Sequence, residues 1–160
     1  MTSVPDRAED ISEKLKSLTL TGVKPVAGQG LGRGAYGKVY KVNYRGLDCA
    51  AKEIHPILLE GVPPQEQQFV KDTFIRECCR CSELTHPNIV RFMGIYYPSG
   101  QLLPAMVMEL MDESLTAYAE KMPKVGLKRN LSILHDVAEG LSYLHSQNPP
   151  IMTLLLIMSC

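Results

Sequence analysis

The run Gly32-Arg33-Gly34-Ala35-Tyr36-Gly37-Lys38-Val39, with Lys52 downstream in Cys49-Ala50-Ala51-Lys52-Glu53-Ile54, constrains this chain more than any other feature. Glycine triplets occur in several unrelated phosphate-binding designs, so the residues after the glycines decide among them. A dinucleotide fold requires a helix directly after the loop, with its N-terminus facing the pyrophosphate. Here the loop enters Val39-Tyr40-Lys41-Val42-Asn43-Tyr44, in which Tyr40, Val42 and Tyr44 alternate with polar or solvated neighbours. That period of two, rich in Val and Tyr, predicts a strand. Arg45-Gly46 predicts a tight turn into a second strand, Leu47 to Ile54. Strand, glycine loop, strand, turn and lysine-bearing strand describe a hairpin lying over nucleotide phosphates, which excludes the dinucleotide design. The ATPase-type phosphate loop fails too. Gly32 to Lys38 nearly fits G-x-x-x-x-G-K-[ST], but Val39 has no hydroxyl for a magnesium ion and no helix comes next.

With these residues in view, the chain resembles the small lobe of a eukaryotic-type protein kinase. The family pattern is G-x-G-x-x-G-x-V, a lysine strand of the V-A-I-K kind, then a helix bearing a glutamate. Gly32, Gly34, Gly37 and Val39 match the first element without a gap. Ala50 and Lys52 match the second, with Cys49 and Ala51 standing where Val and Ile are usual. Phe74-Ile75-Arg76-Glu77 supplies the third, inside a helical stretch predicted from Gln65 to Leu84. Val70, Phe74, Cys78, Cys81 and Leu84 recur there at steps of three and four and form one apolar face. His86-Pro87-Asn88-Ile89-Val90 and Met106-Val107-Met108-Glu109-Leu110-Met111 resemble the family's turn after that helix and its interlobe hinge. The resemblance covers Lys24 to Pro150 and has the flavour of the tyrosine-kinase-like and serine/threonine groups.

What the resemblance implies is an ATP site. Leu31, Gly32, Gly34 and Gly37 belong to a flap whose bare backbone lets N–H groups approach phosphate oxygens. Tyr36, at its tip, is expected either to close over them or to be an exposed aromatic that the tip merely tolerates. Lys52 supplies a point charge to the α- and β-phosphates, oriented by an ion pair with Glu77. Val39 and Ala50 form a flat apolar ceiling over the adenine. Glu109 and Met111 bind the adenine through their main chain, and Met108, at the gatekeeper position, narrows the pocket behind it. On their own, Lys52 reads as a solvated lysine, Glu77 as a helix-surface acid, and Met106, Met108 and Met111 as strand core. The glycine loop upstream and the spacing between motifs turn each toward the nucleotide.

Several other features have plainer explanations. His86 and Asn88 read as turn formers beside Pro87. Cys78-Cys79-Arg80-Cys81 invites a metal, but three thiols on one helix point in different directions, with no further ligand at a suitable offset. Cys78 and Cys81 read as small core residues and Cys79 as edge-facing. Lys and Arg number 17, as do Asp and Glu, so no net charge draws in nucleic acid or an anionic membrane. Met1 to Leu20 is polar and mixed, unlike a signal peptide. Five cysteines without secretory context indicate free thiols in a reducing compartment, and hence the cytoplasm.

The expected fold is therefore α+β. A five-stranded antiparallel sheet with its glutamate helix forms a kinase-like small lobe, followed by two helices of an incomplete large lobe. Residues 1–24 are expected to be a mobile arm with a short helix from Asp10 to Leu18. Residues 25–111 make the small lobe and hinge, and 112–150 the start of the large lobe. The strands expected later run from Arg91 to Tyr97 and from Leu102 to Leu110, joined by the turn-forming run Pro98-Ser99-Gly100-Gln101. Helices are expected at Glu113 to Met122 and Leu127 to Ser146, the second with an apolar face of Leu131, Leu134, Ala138, Leu141 and His145. Residues 151–160 form a divergent apolar tail.

Past Ile151 the family continues into H-R-D-x-x-x-x-N and D-F-G, whereas this chain reads Met152-Thr153-Leu154-Leu155-Leu156-Ile157-Met158-Ser159-Cys160. No loop aspartate is present to take a substrate proton, and the family's magnesium ligands are missing. His135-Asp136 is no substitute, because it lies mid-helix with no Arg between its members. The tail, apolar but far short of the ~20 residues that span a bilayer, resembles a truncation joined to a foreign end. Two functions fit these residues. One is a kinase-family domain that binds ATP yet is catalytically incompetent alone. The other is a non-enzymatic, pseudokinase-like module docking on an intact kinase or another protein, or else a truncated product.

Overall fold

Two neighbouring residues with positive φ, Arg45 (50°) and Gly46 (84°), reverse the chain between β2 (Gly37–Tyr44) and β3 (Leu47–Ile54). Positive φ at both central positions is the mirror-image turn whose twist suits a two-residue hairpin. The Asn43 side chain completes it: its Oδ1 accepts from Gly46 N–H at 3.1 Å and its Nδ2 donates to Asp48 Oδ1 at 3.2 Å. The structure, a computed structural model, describes residues 8–34, 37–54, 59–101, 103–121 and 126–147. Two units divide them, one built from residues up to 83 with 92–110, the other from 84–91 with 111 onward.

The first unit holds α1 (Ala8–Leu18), β1 (Lys24–Gly34), the β2–β3 hairpin, α2 (Pro64–Cys81), β4 (Phe92–Tyr96) and β5 (Ala105–Glu109). Its strands make one antiparallel sheet in the order β1-β2-β3-β5-β4. β1 reaches its register with β2 only through irregularities between Pro25 and Gly32, where Gly28 takes φ 73°. Such bulges bend a strand and raise its local twist. Pro64 begins α2, a position where the missing N–H costs nothing. The expected α2 face is observed as far as the helix runs: Phe74, Cys78 and Cys81 are buried and Val70 half-buried, but the helix ends at Cys81 and Leu84 packs with Ile89 and Leu144 instead.

Side chains of directly opposed residues share a face of a sheet. Val39 opposes Lys52, Ala50 opposes Met108, Lys52 opposes Met106, and Met106 opposes Ile95. These residues form the inner face. The alternate residues form the outer face, where Val42, Cys49, Ala51, Tyr96, Ala105 and Val107 make a buried cluster. Leu20 and Val23, from the segment before β1, pack against that cluster.

In the second unit, α3 (Leu115–Lys121) is capped by Ser114 Oγ, which accepts from Ala117 N–H at 3.1 Å. α4 (Leu127–Ser146) occupies the expected span but buries a different stripe. Leu131 is 56 % and Leu134 63 % exposed, and Ala138 and His145 are exposed as well. Gly140 and Leu144 are buried and Ile133 and Val137 half-buried, also at helical spacing, and of the expected face Leu141 alone is half-buried. The reason lies in residues 84–91. Asn88 donates through Nδ2 to Asp136 O at 3.0 Å and Glu139 Oε2 at 3.2 Å. Its own carbonyl sits so near Gly140 that an added Cβ would come within 3.1 Å. Ile89 and Leu144 are buried together, with Leu84, Val90 and Tyr143 around them. Thr85 N–H donates to Tyr143 Oη at 3.0 Å, and the His86 ring lies 4.9 Å from that of Tyr143. His86 Nδ1 in turn accepts from Asn88 N–H at 3.1 Å, so both residues shape the turn.

Candidate functional site

The inner face brings together five residues separated by up to 69 positions in sequence, Val39, Ala50, Lys52, Met106 and Met108. Val39 and Lys52 are half-buried, while Ala50 (3 %), Met106 (1 %) and Met108 (3 %) are closed to water. Met108 lies directly across from Ala50, so a flexible thioether and a methyl meet at the middle of this face. Lys52 stands two residues further along β3, on the same face between Val39 and Met106.

The flap above begins in β1. A Cβ built on Gly30 or Gly32 would meet no protein atom within 4 Å. Packing does not demand glycine at either position, so their value is a bare backbone facing open space. Gly34 and Gly37 end β1 and begin β2, and Leu31 is 48 % exposed. Tyr36 lies outside the described residues. Glu109, the last residue of β5, opposes Cys49 and is exposed. Met111 belongs to the second unit, where it is 47 % exposed. Glu77 is buried at 6 %, with Arg80 Nη1 3.4 Å from its Oε1.

The outer face carries a polar chain that no sequence motif announced. Tyr40 Oη donates to Glu53 Oε1 at 2.5 Å, and the Tyr96 hydroxyl meets the Tyr40 oxygen. A phenol has one proton, so with that of Tyr40 committed to Glu53, Tyr96 is the donor to Tyr40. Glu53, 6 % exposed, also has Lys38 Nζ 3.0 Å from its Oε2. Burial pushes the Tyr40 phenol well up, reinforced by its bond to Glu53, and burial raises Tyr96 as well. Ala51 and Ala105, opposite Tyr40 and Tyr96 respectively, leave the room in which two tyrosines from non-adjacent strands meet. A groove of about 760 Å3 is lined by β1 together with Lys38, Tyr40, Glu53 and Tyr96. Val39 of the inner face also lines it, whereas Ala50, Lys52 and Met108 do not.

A family model described as protein tyrosine and serine/threonine kinase matches residues 26–150. The chain belongs to the protein kinase family. Among relatives, a probable serine/threonine-protein kinase of Dictyostelium discoideum is 34 % identical over 125 residues, 76 % of this chain and 11 % of that protein. A serine/threonine-protein kinase of Arabidopsis thaliana is 35 % identical over 126 residues, 76 % of this chain and 14 % of its own length. A third, a putative serine/threonine-protein kinase/receptor of Acanthamoeba polyphaga mimivirus, is 32 % identical over 127 residues, 78 % of this chain and 7 % of that protein. The chain thus spans a small part of the kinases it matches. The sheet with its helix is the kinase small lobe, and α3 and α4 begin the large one.

The described thiols of this kinase domain are buried. Cys78 and Cys81 are raised by burial, Cys81 to about 12, so both stay protonated. Cys79 is buried at 2 % rather than edge-facing, because α1 lies against this part of α2 and the Lys14 charge reaches its thiol. Among the described residues, His135, Asp136 and Glu139 alone bring three metal-capable groups together. All are exposed, and Glu139 already accepts from Asn88. No described helix is long and apolar enough to cross a membrane.

Proposed function

We propose that these 160 residues are the nucleotide-gripping half of a protein kinase, binding ATP and transferring no phosphate by themselves. The observation that carries this reading is the register that aligns Val39 with Lys52 and Ala50 with Met108 on one face. In it the glycine flap, Val39 and Ala50 cover the nucleotide, Lys52 meets its phosphates with Glu77 as orienting partner, and Glu109 and Met111 take the adenine edge. ATP supplies the phosphoryl group in this family. The catalytic-loop aspartate and asparagine and the D-F-G aspartate of the family pattern have no counterpart in the 160 residues. A positioned acid or base is worth roughly 10²–10⁴ in rate, and here the magnesium ligands go with it. Affinity for ATP is therefore weak, because the phosphate charge is met by Lys52 and backbone N–H groups alone. The free thiols of Cys49, Cys78, Cys79 and Cys81 support a reducing, cytoplasmic setting.

Calorimetry with millimolar ATP, with and without magnesium, tests the first half. Saturable binding is expected, and the absence of any heat or thermal shift under both conditions refutes it. Incubation with labelled ATP and a generic protein substrate tests the second. No transfer is expected, and transfer abolished by Lys52→Met refutes it.

A further inference from the structure

The segment before the sheet is anchored at two places. Thr19 bridges Ile95 in parallel, and Leu20 N–H donates to Ile95 O at 2.7 Å, so the chain seals the β4 edge. This approach requires glycine at 94. A Cβ there would lie 2.6 Å from Leu18 O and 2.7 and 2.8 Å from Leu20 side-chain carbons, and φ is +153°. An isolated glycine within a strand is the sequence signal for a close backbone approach. Thr19 Oγ1 donates back to Leu15 O at 2.7 Å, tying the bridge to α1. On α1, Ile11, Leu15 and Leu18 are half-buried at steps of four and three. The second anchor is at the C-terminal end of α2: α1 packs against α2, Lys14 Nζ lies 3.6 Å from Glu83 Oε1, two residues past the helix, and its charge reaches Cys79. Glu77 precedes Cys81 by one helical turn, so the braced end of α2 is the end that carries it.

We infer that α1 with Thr19 and Leu20 is a brace that positions the Glu77 end of α2, and that Gly94 is its socket. The inference rests on the reading in which Glu77 orients Lys52 for ATP. Releasing the brace frees the last turns of α2, and Glu77 no longer has a fixed place. Residues 8–20 are thus positioning residues, acting on the nucleotide through α2.

Hydrogen exchange on the full chain, wild type against Gly94→Ala, tests this beside an ATP titration. Expected are faster exchange in 8–20 and 74–81, unchanged protection in β2 and β3, and ATP affinity lowered several-fold. Faster exchange in 8–20 with 74–81 and affinity unchanged overturns the brace; unchanged exchange in 8–20 overturns the socket. Should Gly94→Ala also lose protection in β2 and β3, Leu15→Ser, confined to α1, is read by the same two criteria. Failure of the wild type to bind ATP defeats the nucleotide reading alone, since coupling between 8–20 and 74–81 is still decided by exchange.

Discussion

The inner and outer faces of the sheet are made from alternate residues of the same strands, yet they are held in different ways. On the outer face, Val42, Cys49, Ala51 and Val107 are buried beneath Leu20 and Val23, and every polar side chain of the Tyr96–Tyr40–Glu53–Lys38 chain has a partner within the protein. On the inner face the closed part is short, running through Ile95, Met106, Met108 and Ala50, and then gives way to half-buried Val39 and Lys52. The contrast teaches that covering a polar side chain with neighbours makes it structural. On the inner face Lys52 is only half-buried, on the side where we propose that ATP binds. Two adjacent residues, Lys52 and Glu53, fall on opposite sides of that divide because a strand alternates its side chains.

Three substitutions sharpen or break this contrast. The largest effect is expected from Met106→Ala, which empties a site 1 % exposed at the closed end of the inner face. A loss of about 2–5 kcal/mol is typical of such a change, and chemical denaturation measures it. A loss under half the lower figure would mean that the inner face is open along its whole length. Next is Lys52→Met. A hydrogen bond to a charged group contributes about 1.5–3 kcal/mol, so ATP affinity should fall about tenfold or more, while the unfolding midpoint moves far less than for Met106→Ala. Equal affinity in a titration would remove Lys52 from the site.

The smallest is Tyr40→Phe, which deletes the hydroxyl joining Tyr96 to Glu53. A cost of about 1–3 kcal/mol is expected from the partners left behind, with ATP affinity unchanged; a parallel loss of affinity would show that the two faces are coupled. Its pH signature has a definite sign. The folded-state pKa of Tyr40 is raised above its ordinary 10.0, so the neutral phenol is favoured in the fold. That stability is fully present below pH 10 and declines as pH rises beyond it, because the unfolded chain gives up this proton first. Denaturation between about pH 9 and 11 should therefore show a steep alkaline limb in the wild type and a shallower one in Tyr40→Phe.

Much of this was legible in sequence because the signals were local. Alternation in Val39 to Tyr44, the Arg45-Gly46 turn and the apolar steps of Val70, Phe74, Cys78 and Cys81 each concern neighbours within a strand or a helical turn. The stripe of α4 was misjudged for the opposite reason. Leu131, Leu134 and Ala138 and the set Ile133, Val137, Gly140 and Leu144 both satisfy helical spacing, and the Asn88 carbonyl against Gly140 decides which is covered. Cys79 was misplaced in the same manner, since its cover comes from α1, which precedes it by some sixty residues.

Sequence alone determined the family, the order of strands and helices, and the run of glycines with its lysine downstream, because backbone propensity and side-chain alternation act over a few residues. Tertiary structure decided which of two helical stripes is buried, that Tyr40, Glu53 and Tyr96 form one chain, and that Gly94 must admit the segment from Leu18 to Leu20. Each of these depends on atoms brought within a few ångströms from distant parts of the chain, where packing and desolvation, not local preference, set the outcome.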